Sequence, residues 1–359
     1  MPALNIAHLR LQNQHLAAPK FTRPADIVRW LGAVQAQDYT GAKWALGQRL
    51  QGCSDMIVEQ AFTDGDILRT HVMRPTWHFV TREDIRWMVE LTSARVQAIA
   101  STQHRQFKLD SAVFAQCEKA IHRALEGGKQ LMRDELATAL QQAGIATNEQ
   151  RFIHIMMQME LIGLLCSGGR IGKQFTYALL DDRAPGTNTL TRDEALITLA
   201  ERYFTAHGPA TLQDFVWWSG LTVAEAKAGL NAIKHKLLNE ELNGNTYWFT
   251  EPAGEANSRS AKAYLLPNYD EYIVSYKDRS ASIREKDISK ADPRGTIFNH
   301  TFIINGKIEG MWKRELKKDL LAIELIPFKP LSKAAIAAIT TTVKRHAKFL
   351  GMKDYTLKL

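Results

Sequence analysis

The chain has 359 residues, of which 45% are hydrophobic and 23% charged, an ordinary globular composition that excludes wholesale disorder and allows two or three domains. Lys and Arg outnumber Asp and Glu by 46 to 38, so the net charge is +8, which would attract a polyanion such as nucleic acid. The excess is too small to exclude the alternative, a basic enzyme with no nucleic-acid role.

One pattern, helical segments followed by a short alternating hairpin, recurs three times along the chain. The first repeat runs from about residue 5 to residue 81. Ile27, Leu31 and Val34 form its helical stripe. The stretch "ILRTHVMRPTWHFV" predicts two strands on either side of Arg74-Pro75, because apolar and polar residues alternate in both halves.

The second repeat covers about residues 111–180. Its three helices are predicted from "SAVFAQCEKAIHRALEGG", "LMRDELATALQQAG" and "NEQRFIHIMMQMELIGLLCSG". The first two are closed by Gly, and the third opens at Asn148, a residue type that caps helices. The stretch "GLLCSGGRIGKQFTYALL" then predicts a strand, a Gly-rich turn and a second strand.

The third repeat covers about residues 191–250. Its first helix, "TRDEALITLAERYFTAHG", has a capping Thr and an acidic first turn, which favour a helix start. Two more helices are predicted from "TLQDFVWWSG" and "TVAEAKAGLNAIKHKL". The repeat ends in "LNGNTYWFT", where an Asn-Gly turn lies between strand residues.

Three helices followed by a two-stranded wing is the winged-helix arrangement. The sequence therefore predicts a mainly α protein with β-hairpins (α+β), with tandem winged-helix units at residues 1–110 (with a following helix), 111–185 and 190–252. A generic α-helical protein with a few hairpins is the alternative. The polar stretch "EPAGEANSRSAKA" predicts a linker, and residues 262–359 predict a small β-rich module with a terminal helix.

Patterns typical of cofactor and metal sites fail on inspection. Gly168, Gly169, Gly172 and Lys173 lack the spacing of a phosphate loop, and no Ser or Thr follows the lysine, so a hairpin turn is predicted there. The sequence has neither a His-Glu zinc helix nor a Gly-x-Ser-x-Gly elbow. The Trp217-Trp218 pair is predicted to be helix core, not a base-stacking platform. No cofactor or metal is expected.

The cysteines and the apolar runs of the sequence indicate in which cellular compartment the protein is expected. Cys53, Cys117 and Cys166 are odd in number and far apart, which indicates neither a disulfide framework nor a zinc site. No apolar run approaches the roughly 20 residues that span a bilayer, and the N-terminal stretch has no signal-peptide core. The sequence therefore predicts a cytoplasmic protein without membrane association.

The stretch "WLGAVQAQDYTGAKW" begins as an amphipathic helix and then sets two amides and a carboxylate almost side by side. On a continuous helix, Gln35 and Gln37 would point to opposite faces. Both face one pocket if the helix ends near Ala36 and the chain then extends, which Asp38 and the following residues favour. A pair of surface amides is the alternative.

The chain resembles the AlkZ-like family of bacterial DNA glycosylases, winged-helix proteins that remove alkylated purines and unhook crosslinks. The family's Gln-Φ-Gln signature, with Φ apolar, matches Gln35-Ala36-Gln37. A sister branch has Asp at the second Gln position. The resemblance covers essentially the whole chain, through "MRPTWHFV", "RYFTAHGPATLQDFVWWSGL", "LLPNYDEYIVSYKDR" and "INGKIEGMWKREL". Pro75 departs from it, because Gly is expected in the hairpin turn.

The resemblance implies that Gln35 and Gln37 are catalytic. An N7- or N3-alkylated purine already carries positive charge, so it leaves without a strong general acid. What remains is to stabilise an oxocarbenium-like sugar and to place a water beneath its anomeric carbon, which a Gln carbonyl can orient. Asp38 is a possible site residue through its negative potential, and a helix-end cap is its alternative role. No lysine stands out as a Schiff-base nucleophile, so monofunctional base removal is expected.

Further site residues are expected on the hairpin and in the basic clusters. Thr76 and His78 share one face of the hairpin, and they line a cleft if the aromatic face with Trp77 and Phe79 packs inward. The expected DNA contacts are Arg74, Arg69, Lys43, Lys313 and Arg314.

The expected partner is duplex DNA with alkylated bases, bound by a monomer. A non-enzymatic winged-helix regulator is the alternative function, and it would prefer one unmodified sequence. An RNA-binding factor is a third interpretation, which tighter binding to single strands would favour. The sequence does not determine the lesion, because pocket volume decides between bulky adducts, crosslinks and methyl groups.

Overall fold

The computed structural model describes residues 4–186, 189–251, 261–291 and 299–359. Most of the predicted linker lies outside these residues. The chain divides into two compact units. The first unit consists of Met1–Glu59, Ile197–Trp218 and Val223–Leu359, and the second consists of Gln60–Leu196 with Ser219–Thr222.

The first repeat has helices followed by the predicted hairpin. Its helices and strands are α1 (Ile6–Asn13), α2 (Pro24–Leu31), β1 (Val34–Gln35), α3 (Tyr39–Arg49), α4 (Asp55–Thr63), β2 (Ile67–His71), β3 (Trp77–Thr81) and α5 (Ile85–Gln106). Strands β2 and β3 pair antiparallel from Ile67 opposite Thr81 to His71 opposite Trp77. The hairpin around Arg74-Pro75 is confirmed.

The second repeat has the predicted three helices and hairpin. Its elements are α6 (Ser111–Leu125), β4 (Leu131–Met132), α7 (Arg133–Gln142), α8 (Glu149–Leu161), β5 (Leu165–Ile171), β6 (Gln174–Leu179) and α9 (Leu180–Arg183). The Asn148 side chain caps α8 by accepting the Arg151 N–H, as predicted. Gly172, with φ 60°, lies in the turn between β5 and β6, so the glycines that resemble a phosphate loop form a hairpin.

The third repeat ends in the hairpin predicted from its Asn-Gly turn. Its elements are α10 (Arg192–His207), α11 (Leu212–Ser219), α12 (Val223–Ile233), a 3-10 turn (Lys234–Lys236), β7 (Leu238–Leu242) and β8 (Asn245–Phe249). Thr191 and Glu194 form a reciprocal cap at the start of α10. Trp218 is fully buried, as predicted, but Trp217 is 38% exposed, and its indole donates to the Val274 carbonyl.

The C-terminal residues form a five-stranded sheet in the order β13-β12-β11-β10-β9. The elements are β9 (Ala263–Leu266), α13 (Glu271–Val274), α14 (Ile288–Ala291), β10 (Thr301–Ile304), β11 (Lys307–Lys317), β12 (Leu320–Pro327), α15 (Lys333–Phe349) and β13 (Asp354–Lys358). Helix α15 packs Ile339 and Val343 against Trp312 of the sheet. Strand β13, which follows this helix and pairs parallel to β12, was not predicted.

Local turn chemistry explains the connection between β10 and β11. Asn305 and Gly306 have φ of 50° and 81°, the left-handed pair that a tight hairpin between β10 and β11 requires. No helix among the described residues is long and apolar enough to cross a membrane.

Candidate active site

The Gln35–Gln37 stretch lies between two helices. Helix α2 ends at Leu31, not near Ala36 as predicted, because Gly32 takes φ 82° and reverses the chain. A Cβ at Gly32 would lie 3.1 Å from the Trp218 ring, so this early end depends on close packing as well as on backbone freedom. The chain then extends through Val34 and Gln35, as expected for the segment that carries the amides.

A buried carboxylate fixes the backbone of Gln35. The Gln35 N–H donates to Glu271 Oε1 at 2.8 Å, and Glu271 is fully buried. Its Oε2 accepts from Trp218 Nε1 at 3.0 Å and from Ser275 Oγ at 2.5 Å. Three donors on one enclosed carboxylate hold β1 firmly, because any lost partner would leave a buried polar group without a hydrogen bond.

Sequence reasoning missed Glu271. The signal was the acidic pair Asp270-Glu271 in the otherwise apolar run "YLLPNYDEYIVSY", since two carboxylates in such a run need buried partners. Asp270 has its own partner, because Arg49 binds both of its oxygens at 2.7 and 3.0 Å, and both side chains are fully buried. Arg49 also donates to Gln14 Oε1 at 2.9 Å, which ties the end of α3 to α1.

Asp38 caps the start of α3, so it begins the next helix and does not end the previous one. Its Oδ1 accepts from Gly41 N at 3.0 Å and from Thr40 Oγ1 at 3.0 Å. A Cβ at Gly41 would lie 2.6 Å from Asp38 Oδ2 and 3.0 Å from Pro267, so this turn has no room for a larger residue. Gln37, directly before the cap, is exposed, whereas Gln35 is 6% exposed.

The hairpin residues lie in the second unit, and His78 differs from expectation. His78 and Phe79 are both fully buried, so both faces of β3 are covered and His78 does not line an open cleft. His78 Nδ1 lies 2.9 Å from the Thr76 carbonyl oxygen. Burial and the nearby Arg74 charge lower the pKa of His78 well below its ordinary value, so the ring is neutral at neutral pH. Thr76 and Trp77 are half-buried.

Two of the expected DNA contacts pack against the protein in this unit. Arg69 lies with its guanidinium 4.3 Å from the Trp77 ring and 4.7 Å from the Phe175 ring. Arg74 is half-buried in the hairpin loop, and a Cβ at Gly220 would lie 3.5 Å from its Cγ. Neither arginine projects freely from the protein, in contrast to a simple surface contact with phosphate.

The remaining expected contacts lie in the first unit and have three different environments. Lys43 is 3% exposed, and its Nζ lies 2.7 Å from both Asp55 and Glu59, so its charge is paired within the protein, which does not favour the predicted DNA contact. Lys313 is exposed on β11. Arg314 is half-buried and donates to Thr40. Within the described ranges, no three His, Cys, Asp or Glu side chains group to hold a metal ion.

Comparisons with known proteins agree across nearly the whole chain. A family model described as "DNA glycosylase AlkZ-like" matches residues 28–349. A curated relative from Streptomyces sahachiroi, named "Interstrand DNA cross-link repair glycosylase", is 21% identical, and the alignment covers 98% of this chain and 97% of the relative. The solved structure of Streptomyces sahachiroi DNA glycosylase AlkZ superposes with a TM-score of 0.80 at 19% identity, covering 99% of this chain and 98% of that one.

Proposed function

Because this chain belongs to the AlkZ-like DNA glycosylase family, we propose that it hydrolyses the N-glycosidic bond of alkylated purines that carry positive charge at N7 or N3. The enzyme is a DNA glycosylase, a hydrolase of N-glycosyl bonds. The observation that carries the finer proposal is the Gln35-Ala36-Gln37 stretch, which is placed between two helix ends and fixed through its backbone by Glu271.

The two amides have different tasks in this proposal. Gln37 is exposed, so its carbonyl oxygen accepts a hydrogen bond from a water and aims it at the anomeric carbon. Gln35 is nearly buried, so it supports the water from within and loses little freedom on binding. The cationic base leaves without an added proton. Asp38 adds negative charge near the cationic sugar while its Oδ1 caps α3.

The proposed partner is duplex DNA bound by a monomer, in the compartment that holds the chromosome. Lys313 is the proposed phosphate contact, because it is exposed on β11. Thr76, Arg74 and Arg69 stay candidates for contacts nearer the lesion. The name of the Streptomyces relative refers to interstrand crosslinks, so we extend the proposed substrates to bulky adducts and crosslinks.

The test is base release from duplex DNA that contains N7-alkylguanine. After incubation, heating in alkali converts each abasic site into a strand break. The proposal expects more breaks at the alkylated guanines than a protein-free incubation gives, and none in unmodified DNA. Intact strands after incubation with folded protein, together with preferential binding to one unmodified sequence, would support a non-enzymatic regulator instead.

A further inference from the structure

Arg314 contacts the turn that carries Gln37. Its Nη2 donates to Thr40 Oγ1 at 3.1 Å, and the same hydroxyl donates to Asp38 Oδ1 at 3.0 Å. The Thr40 hydroxyl can make both hydrogen bonds at once, because it donates its one hydrogen to Asp38 and accepts from Arg314 through a lone pair. A continuous chain of hydrogen bonds therefore runs from β11 to the cap of α3, one residue after Gln37.

His300 lies near the second oxygen of the Asp38 carboxylate. Its Nε2 lies 4.0 Å from Asp38 Oδ2, and its ring meets Trp312 edge-on at 4.7 Å between centroids. Trp312 is nearly buried, and its indole donates to the carbonyls of Leu266 and Thr301. His300, directly before β10, and Arg314, on β11, thus lie beside Asp38 and Thr40 at the start of α3.

From the sequence, both Arg314 and its neighbour Lys313 are predicted to contact DNA phosphate. Adjacent residues of a strand point to opposite faces, so the two side chains have different surroundings. Lys313 is exposed, whereas Arg314 is half-buried and engaged with Thr40. Equal roles for the two residues do not fit this geometry.

We propose that Arg314 is a positioning residue, which acts through Thr40 and Asp38 to hold the turn that carries Gln37. This inference rests on the proposed function, because it assumes that Gln37 orients the attacking water. A site that places a water depends on small displacements of its support. Removing Arg314 should therefore slow hydrolysis of the glycosidic bond in bound DNA and leave the number of phosphate contacts unchanged.

The test separates rate at saturating DNA from the salt dependence of binding. For Arg314→Gln, single-turnover excision at saturating DNA should fall about tenfold, as for one lost hydrogen bond to a charged group. The slope of log affinity against log salt should not change. For Lys313→Gln, the slope should become shallower by about 0.9, the value for one lost phosphate contact. Lys119→Gln, at an exposed helix position, is the matched charge control and should change neither quantity.

Three more variants, Thr40→Val, its combination with Arg314→Gln, and Arg314→Lys, keep the test decisive. Thr40→Val retains the guanidinium but breaks the chain of hydrogen bonds, so it should slow excision by a similar factor. The double variant should be less than additive, because both changes interrupt the same path. Arg314→Lys should recover part of the rate. If Arg314→Gln unfolds the protein, as judged by thermal melting, Thr40→Val takes its place.

Two results would contradict the inference that Arg314 is a positioning residue. An Arg314→Gln slope that is shallower by about 0.9, with an unchanged rate at saturating DNA, makes Arg314 a phosphate contact and overturns the inference. Unchanged rates in both Arg314→Gln and Thr40→Val overturn it as well. In both cases an active wild type leaves the glycosylase proposal standing, whereas a wild type without excision activity overturns the two together.

Discussion

Glu271 and Gln35 are 236 residues apart in sequence, yet the Glu271 carboxylate accepts the Gln35 backbone N–H at 2.8 Å. The position of the first amide therefore depends on a charge that the chain supplies from its C-terminal part. Because Trp218 and Ser275 donate to the other oxygen, the carboxylate has a fixed orientation. A neutral replacement of the same shape tests this dependence.

Glu271→Gln should destabilise the protein and slow excision. Its amide nitrogen would face either the Gln35 N–H or the Trp218 N–H, so a buried donor would lose its acceptor at a cost of about 1–3 kcal/mol. Urea unfolding and single-turnover excision measure the two effects. Glu201→Gln, at an exposed position, is the control and should change the unfolding free energy by less than about 1 kcal/mol. A Glu271→Gln protein with wild-type stability and rate would show that the anchor is dispensable.

Gly220→Ala should be far more costly than Gly127→Ala. Both glycines have positive φ, 70° and 81°, so both substitutions carry the backbone cost of about 1 kcal/mol. A Cβ at Gly220 would lie 2.2 Å from the Met73 carbonyl oxygen, whereas a Cβ at Gly127 meets no atom within 4 Å. The difference in unfolding free energy should exceed about 2 kcal/mol, as for overpacking. Equal losses of unfolding free energy in the two variants would mean that the hairpin loop moves to accommodate the new methyl group.

Stability should fall between pH 7 and pH 5, in part through His346. Burial lowers the pKa of His346 to about 3 in the folded protein, and its ordinary value is 6.5. Below pH 6.5 the unfolded chain binds a proton that the folded chain does not, so stability is present above 6.5 and is lost as the pH falls towards 3. One such histidine contributes about 2 kcal/mol of loss by pH 5.

His346→Phe isolates this contribution. The ring stacks on Trp44 at 4.1 Å, so an aromatic replacement keeps the packing and removes the titrating group. The loss of unfolding free energy from pH 7 to pH 5 should be smaller by about 2 kcal/mol than in the wild type. Identical pH dependence of His346→Phe and the wild type would mean that His346 is protonated in the folded protein.

Lys43→Met should leave DNA binding unchanged. The Lys43 charge is already paired with Asp55 and Glu59 and is nearly buried, so it does not neutralise a phosphate and releases no counterion from DNA. The slope of log affinity against log salt should equal that of the wild type. A slope shallower by about 0.9 would show that Lys43 leaves its carboxylates to contact DNA.

Local chemistry could be predicted from the sequence, and long-range packing could not. The Asn148 cap, the Thr191–Glu194 cap and the Asn305-Gly306 turn each depend on neighbouring residues, so the pattern was sufficient. The end of α2 at Gly32 is also local glycine chemistry that the prediction overlooked, whereas the Glu271 carboxylate that accepts the Gln35 N–H lies 236 residues away.

Residues of the candidate site also show that burial and packing could not be predicted from the sequence. Lys43 is a surface lysine by composition, but α4 places Asp55 and Glu59 against it. His78 follows the alternation of its strand, yet β3 is covered on both faces, which alternation alone does not reveal. The Gln35-Ala36-Gln37 stretch was found through family resemblance, because two amides carry no chemical signature of their own.

Gln37→Ala tests the central claim most directly, through single-turnover excision of N7-alkylguanine at saturating DNA. The substitution deletes an exposed acceptor and little apolar packing. The rate should fall by about 10²-fold or more, roughly 2.7 kcal/mol, with DNA affinity changed by less than about 1 kcal/mol. Gln142→Ala, which removes an exposed amide from α7, should excise at the wild-type rate. A folded Gln37→Ala protein that excises at near the wild-type rate would contradict the proposal that Gln37 orients the attacking water.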